Sequence, residues 1–508
     1  MINLNQNKEK LLVLSLILAL FAAWIGQMYT YLFVADDFAF AESFKNGIWD
    51  MIISAYQVTG IRRSIGFLSN VPLLGLPVDV INYFCLALHF TATLLFYQVV
   101  KLLAKSNKIS FICSILFGVF PFGYGAVTWA SGTYIITHFI FFLAALLILL
   151  YHAFRPIAKD WVISLVTGVL IFISCLIGEH LIFATAFIGL LALVSMNKNI
   201  QISDVKKTWV FTPFIVIIVY LLLVIVTQQG GINITDIRGN EKSVSSINLT
   251  TVISVWFYLI KNLQMFQIWT NAEAIRITIN NMGWVKILIG LLILLLSVAL
   301  VKIFLNLDAS PKNRVSKTFN TKNRNSTYIS EMWDIITIFI MMLSISGVHA
   351  LAGGYSASSR HQYVPIALFL MFIGVICSKT FMIKYFQFKT FKSQLFLFLL
   401  IFIGVTTTWL VTGINKFELT RHHNLINFLA ENKIEKTINL QFEPPLYFAW
   451  KSMNGTLSHS FDEEWVINLG LQYKGKEPIK LSSDRDSVKV HIIYKPNFDI
   501  YVFDKKMQ

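Results

Sequence analysis

Charged residues are scarce in this chain, and so are cysteine and proline. Only 14% of the 508 residues are Asp, Glu, Lys or Arg, whereas 56% are hydrophobic. A soluble globular protein carries about 25% charged residues, so this composition excludes that class. The 4 Cys all lie in apolar stretches, which argues against a disulfide framework or a zinc site. The glycine-rich phosphate loops of P-loop and dinucleotide-binding proteins are absent from the sequence as well.

Long apolar runs are what the sequence has in abundance, with 43 Phe and a mean hydropathy of +0.65. A run of about 20 residues crosses roughly 30 Å of hydrocarbon as a helix. We therefore predict an all-α polytopic membrane protein with about 11 transmembrane helices. The first run lacks a signal-peptidase pattern and is expected to remain as a span. The runs are residues 11–35, 79–104, 109–121, 133–153, 161–177, 181–196, 209–228, 284–305, 332–351, 362–378 and 394–413.

The net charge of +15 is distributed as in a membrane protein rather than a nucleic-acid-binding one. Lys and Arg concentrate in alternate loops, which predicts a cytoplasmic N-terminus and an outer C-terminus. The stretch 251–269 is apolar enough to suggest a twelfth span, but that span would invert everything after it. Its interior Lys261, Asn262, Gln264 and Gln267, between two Trp, favour an interfacial helix on the outer surface instead.

The composition changes after residue 413. Charged residues return, and short alternating segments at 436–442 and 487–494 are typical of strands. We predict a transmembrane domain at 1–413 and a small extracytoplasmic α/β or β-containing domain at 414–508.

Asp36 and Asp37 stand at the outer end of the first apolar run, at the start of a predicted outer loop, 36–78. A carboxylate inside the bilayer costs about 2.5 to 3.5 kcal/mol, so acids at this boundary usually mark chemistry or a substrate path. Other polar and aromatic residues fall at the same predicted boundary, and together they indicate an active site or ligand cavity. They are Arg62, Arg63, Trp129, His138, Glu179, His180, His349, Arg360, His361 and Tyr363.

Each of these residues also has a simpler interpretation. The acid pair could be solvated, and Glu179 could form a structural ion pair with an arginine. Arg360 could cap its helix or face lipid phosphates. The histidines could pack through hydrogen bonds, and Trp129 could be an interface anchor. The functional prediction therefore depends on the whole set.

Four motifs in this set resemble the GT-C membrane glycosyltransferases, over roughly residues 10–410. They are Ala35-Asp36-Asp37-Phe38, the turn from Phe120 to Gly132, Gly178-Glu179-His180, and Ser358-Ser-Arg-His-Gln-Tyr-Val-Pro365. In that family the acidic motif follows the first span and the donor is usually a sugar on a polyprenyl phosphate. The chain departs from the pattern at Gly125, where relatives often carry an acid, and in the Arg-His-Gln-Tyr order.

The resemblance implies an inverting transferase at the outer face of a bacterial cytoplasmic membrane. It would move a hexose such as glucose from a polyprenyl phosphate to O-antigen or another surface glycan. A carboxylate can take the proton of an acceptor hydroxyl, and guanidinium groups bind phosphate bidentately. Some relatives use a divalent ion, so Mg²⁺ or Mn²⁺ on Asp37 is a further expectation. The assigned roles are Asp36 as base, with Asp37 and Glu179 as catalytic partners; Arg360, Arg62 and Arg63 for the donor phosphate; and Trp129, His180, His361 and Tyr363 for sugar and acceptor.

Two other functions stay open at this point. A transporter or flippase for lipid-linked sugars would also need an arginine for phosphate, but it should show polar residues along a path through both faces. A glycan polymerase or ligase would share the donor, yet it typically has a large outer loop rich in Arg and His. The 229–283 segment lacks that composition.

Overall fold

The computed structural model describes most of the apolar part of the chain and part of the C-terminal region. The described residues are 2–33, 37–38, 41–42, 47–49, 52–53, 76–178, 181–196, 207–227, 266, 268–309, 324–351, 359–379, 391–432, 437–442, 464–482, 490–494 and 500–504.

Helices dominate these ranges, and the described strands all lie near the C-terminus. In chain order the elements are α1 Ile2–Trp24, α2 Val78–Ala104, α3 Asn107–Gly118, α4 Tyr124–Thr128, α5 Tyr134–Phe154, α6 Asp160–Ile177, α7 Ile182–Ala186, α8 Ile188–Met196, α9 Thr208–Thr227, α10 Ala272–Met282, α11 Trp284–Ala309, α12 Arg324–Leu351, α13 Ser359–Ser378, α14 Phe391–Glu431, β1 Thr437–Phe442, α15 Glu464–Tyr473, β2 Lys480–Leu481, β3 Val490–Tyr494 and β4 Ile500–Asp504.

Within the described ranges, 8 helices are long and apolar enough to cross a membrane. Two further apolar helices, Met332–Ser346 and Gln362–Ser378, are shorter. These helices confirm an all-α polytopic membrane protein. Each predicted apolar run is helical over most of its length, while the total of eleven spans stays a prediction. The predicted interfacial helix at 251–269 lies almost entirely outside the described residues.

The first predicted span ends earlier than residue 35. A short 3₁₀ turn, Ile25–Gln27, follows α1, and the chain then runs without helix to Phe33. The Gln27 side chain donates a hydrogen bond to Asn82 Oδ1 at 3.0 Å, and the Tyr31 backbone N–H donates to Val78 O at 2.8 Å. These bonds hold the chain against the start of α2 and replace the bonds that a longer helix would make. Hydropathy cannot detect this change because the segment stays apolar.

The last predicted span ends later than residue 413. Helix α14 continues for 41 residues to Glu431, which makes it about 62 Å long, twice the hydrocarbon thickness. The helix therefore crosses the predicted domain boundary at 413/414 without a break. Polar residues after Gly413 lower the hydropathy, but buried Phe417, Leu425 and Leu429 keep one face of the helix packed. The fall in hydropathy after residue 413 therefore does not mark the end of the helix.

Beyond α14 the described strands form a four-stranded sheet in the order β2-β1-β3-β4. Strand β1 pairs in parallel with β2 and with β3, and β3 pairs antiparallel with β4. Strands β1 and β3 overlap the two predicted strand segments. A separate apolar cluster joins the end of α14 to this sheet and to α15. Its buried members are Phe38, Leu425, Ile426, Leu429, Ile438, Ile467, Leu471 and Ile492.

The helices of the apolar core are connected by hydrogen bonds from side chains to the backbone of neighbouring helices. Trp24 Nε1 donates to Gly118 O at 2.8 Å, and Trp409 Nε1 donates to Ala22 O at 2.6 Å. A Cβ at Gly290 would overlap the Trp409 ring, so α11 and α14 approach closely there. Such small residues and side-chain bonds are what hold helices together where lipid removes the hydrophobic driving force. They fix the relative positions of α1, α3, α11 and α14.

Candidate functional site

Asp37 is the described member of the predicted acid pair, and its side chain is fully buried. Its Oδ1 accepts a hydrogen bond from the Ser131 backbone N–H at 2.8 Å, and its Oδ2 accepts one from the Tyr31 hydroxyl. The Tyr31 oxygen in turn accepts a bond from the Ala130 backbone N–H at 2.7 Å. The acidic motif is thus tied to the turn that precedes α5.

The donors in this turn arise from its backbone conformation. Trp129 is extended, with φ −117° and ψ 116°, and it ends the short helix α4. The first N–H groups of the following 3₁₀ turn, Ala130–Gly132, therefore have no helical acceptor. Such groups favour an anion or another strong acceptor, here Asp37 and the Tyr31 phenol. Trp129 itself is only 4% exposed, so its indole packs inside the protein.

Burial raises the pKa of the Tyr31 hydroxyl well above its usual value, and the Asp37 carboxylate raises it further. The phenol therefore stays protonated and donates to the carboxylate. A hydrogen bond from a hydroxyl to an ionised oxygen is about twice as strong as a neutral one. The Asp37 side chain is consequently held firmly against the turn that precedes α5.

Phe38, the next residue, packs in the opposite direction, against the far end of α14 and against α15. Its ring lies 5.5 Å from the ring of His423 and 5.6 Å from that of Tyr473. The His423 ring nitrogen Nε2 is also 2.9 Å from Phe33 O. The acidic motif is therefore held on one side by the start of α5 and on the other by α14.

A buried ion pair lies on the same stretch of α14. Arg421 and Glu418 are 0% and 3% exposed, with 3.7 Å between the guanidinium and the carboxylate. His422 is also buried, and its ring is 6.4 Å from Phe38. The sequence prediction does not include these residues in the site, because it places residues 414–508 in the outer domain. Their sequence pattern indicates a continued helix, because Glu418, Arg421 and His422 follow the last apolar run at helical spacing, without a helix breaker.

The third motif begins where α6 ends, at Gly178. A Cβ at this position would overlap His138 Nδ1, and Ser174 Oγ donates to His138 O at 3.0 Å. His138 is buried one turn into α5, beyond the turn that holds Asp37. The motif therefore starts at the same end of the bundle. Glu179 and His180 lie outside the described residues.

The fourth motif forms the first turns of α13. Tyr363 is 2% exposed, and its hydroxyl lies 2.8 Å from His89 Nδ1. A Cβ at Gly123 would overlap the Tyr363 ring, so this helix start packs on the segment that leads to Trp129. The Tyr363 side chain therefore lies in the protein interior, where it packs between helices. The side chains of Arg360, His361 and His349 lie outside the described set.

The structure thus brings Asp37, the Trp129 turn, Gly178 and the start of α13 to one end of the bundle. Asp36, Arg62 and Arg63 lie outside the described residues. Both Asp37 oxygens accept hydrogen bonds from protein donors, and the expected metal ion on Asp37 stays a prediction. In the part of the chain that the structure describes, no cluster of three His, Cys, Asp or Glu could hold an ion.

Acids at the opposite end of the bundle have basic partners. Glu9 pairs with Lys101, and Asp334 lies 3.3 Å from the Lys379 ammonium. Asp160 lies 3.0 Å from His152 Nε2. These pairs join segments that lie close together, as expected of structural contacts.

The chain matches no protein-family model, and no curated protein matches it. Function must therefore be argued from the residues of the site.

Proposed function

We propose that this chain is an inverting glycosyltransferase of the GT-C kind. It moves a sugar, such as glucose, from a polyprenyl phosphate to O-antigen or another surface glycan, at the outer face of a bacterial cytoplasmic membrane. The observation that supports this most is the buried Asp37 carboxylate, which binds the acidic motif to the Trp129 turn. Asp37 directly follows Asp36 in the chain, and precise placement is what general-base catalysis needs.

In the proposed reaction Asp36 takes the proton of an acceptor hydroxyl. The acceptor oxygen attacks the anomeric carbon, and the bond from that carbon to the phosphate oxygen breaks. Polyprenyl phosphate leaves with the bonding electrons, and attack from the opposite face inverts the anomeric centre. Asp37 is a positioning residue in this scheme.

Cations must stabilise the phosphate as it leaves. Arg360, Arg62 and Arg63 keep the roles assigned to them from the sequence. Arg421 is an additional candidate because it carries a buried positive charge next to His422, which contacts Phe38. Glu179 would orient sugar hydroxyls or hold Arg360.

The direct test uses the full chain, purified in lipid nanodiscs, with a polyprenyl phosphate carrying radiolabelled glucose and an isolated O-antigen acceptor. We expect label in the glycan for the wild type and none for Asp36→Asn. Glu42→Gln is the matched control, since Glu42 is an exposed acid in the same outer segment and should leave transfer unchanged.

Full activity of Asp36→Asn would refute the assignment of the base. A wild-type protein that moves the labelled lipid between leaflets of a liposome without transferring the sugar would instead indicate a flippase.

A further inference from the structure

Two lysines from different helices meet at the end of α1. Lys286, in the first turn of α11, donates from Nζ to Met28 O at 2.6 Å. Lys416, on α14, donates to Asn281 O at 3.1 Å, and its Nζ lies 5.2 Å from the centre of the Tyr29 ring. Because Met28 and Tyr29 are consecutive, both ammonium groups lie beside the same short segment.

No acid balances these two charges among the residues that the structure describes. Both side chains are half-buried, and their ammonium groups contact carbonyl oxygens and one aromatic ring. Lys101 and Lys379, at the opposite end of the bundle, each pair with a carboxylate. Partly buried like charges repel unless an anion lies between them. The pair at the end of α1 is therefore suited to an anionic ligand.

The surroundings of the pair indicate where that ligand comes from. Gly283 has φ +79°, which turns the chain between α10 and α11. Helix α11 then begins with two exposed side chains, Trp284 at 65% and Val285 at 69%, and its apolar exposed face continues through Leu288 and Leu292. An exposed Trp at the start of an apolar helix is typical of the membrane interface. Lipid phosphate groups lie at that depth.

We propose that Lys286 and Lys416 form a binding site for the phosphate group of a membrane lipid. The lipid chain would lie along the exposed apolar face of α11, and its phosphate would bridge the two ammonium groups. Two sources carry this chemistry, a polyprenyl phosphate and an ordinary anionic phospholipid. The inference does not depend on glycosyl transfer, because the site is defined by a phosphate without a sugar.

The test is native mass spectrometry of the full chain, released from phosphatidylcholine nanodiscs that contain either undecaprenyl phosphate or phosphatidylglycerol. Each basic residue near a lipid surface contributes about fivefold in affinity, so Lys286→Gln should weaken binding roughly fivefold and the double variant with Lys416→Gln roughly 25-fold. Lys302→Gln is the matched control, since Lys302 is exposed at the other end of the same helix.

Comparing the two lipids shows whether the bound phosphate belongs to a polyprenyl phosphate or to an ordinary anionic phospholipid. Loss of the undecaprenyl phosphate adduct alone would identify a site for a polyprenyl lipid, and loss of both adducts would identify a general site for lipid phosphate. Wild-type binding of both lipids by the double Gln variant would overturn the proposal. If that variant does not fold, the single variants decide, and an unchanged affinity in both would overturn it equally.

Discussion

The Asp37 carboxylate accepts a hydrogen bond at 2.8 Å from the backbone N–H of Ser131, which lies 94 residues further along the chain. This bond joins the segment that follows the first span to the turn that precedes α5. Tyr31 completes the connection by bonding to both Asp37 and Ala130. The geometry of the acidic motif therefore depends on three residues that no local pattern brings together.

Tyr31→Phe should destabilise the protein by about 2 kcal/mol, since it removes a donor from Asp37 and leaves the buried Ala130 N–H without its acceptor. Denaturant unfolding in detergent micelles measures this loss. Tyr151→Phe is the control, because Tyr151 is 42% exposed. Equal stability of the two variants would mean that the Tyr31 bonds contribute nothing.

Alkaline pH should weaken the same contact. Burial and the Asp37 carboxylate raise the pKa of Tyr31 above 10.0, so the folded protein keeps a proton that the unfolded chain releases. The contribution of Tyr31 is complete below about pH 10 and is lost as the pH rises further. The stability difference between wild type and Tyr31→Phe should shrink accordingly when unfolding is followed upward from pH 8. A difference that grows with pH would contradict the assignment.

Gly178→Ala should cost about 1 to 3 kcal/mol, because the added methyl group would overlap the buried His138 ring just before Glu179. In a His138→Ala background the ring is gone, and the same substitution should be nearly neutral. A thermal-unfolding double-mutant cycle measures this coupling. If the cost is the same in both backgrounds, the two residues do not contact each other as described.

Arg421→Met should destabilise the protein by about 3 to 5 kcal/mol, since it removes the guanidinium that lies 3.7 Å from the buried Glu418 carboxylate. Adding Glu418→Gln removes the carboxylate charge and should recover part of that loss. Chemical unfolding of the two single variants and the double variant gives the comparison. A double variant that loses the full sum of the single effects would show that the two side chains act independently.

Hydropathy predicted where the membrane helices lie because burial in lipid depends on about 20 consecutive residues. It also drew attention to Asp36 and Asp37 as costly acids at the boundary. It could not distinguish the two, since Asp37 is held by Tyr31 and by a backbone donor 94 residues away, neither of which hydropathy detects. It missed Glu418 and Arg421 because hydropathy falls after residue 413 while α14 continues as a helix without a break in the backbone.

The most direct measurement is the mass of the surface glycan made by a bacterial host that expresses this chain, compared with the same host expressing Asp36→Asn at equal membrane level. The proposed transferase predicts an added hexose with the wild type and none with the variant. The same hexose increment with both proteins, or an unchanged glycan with both when the host makes the O-antigen acceptor used in the purified assay, would contradict it.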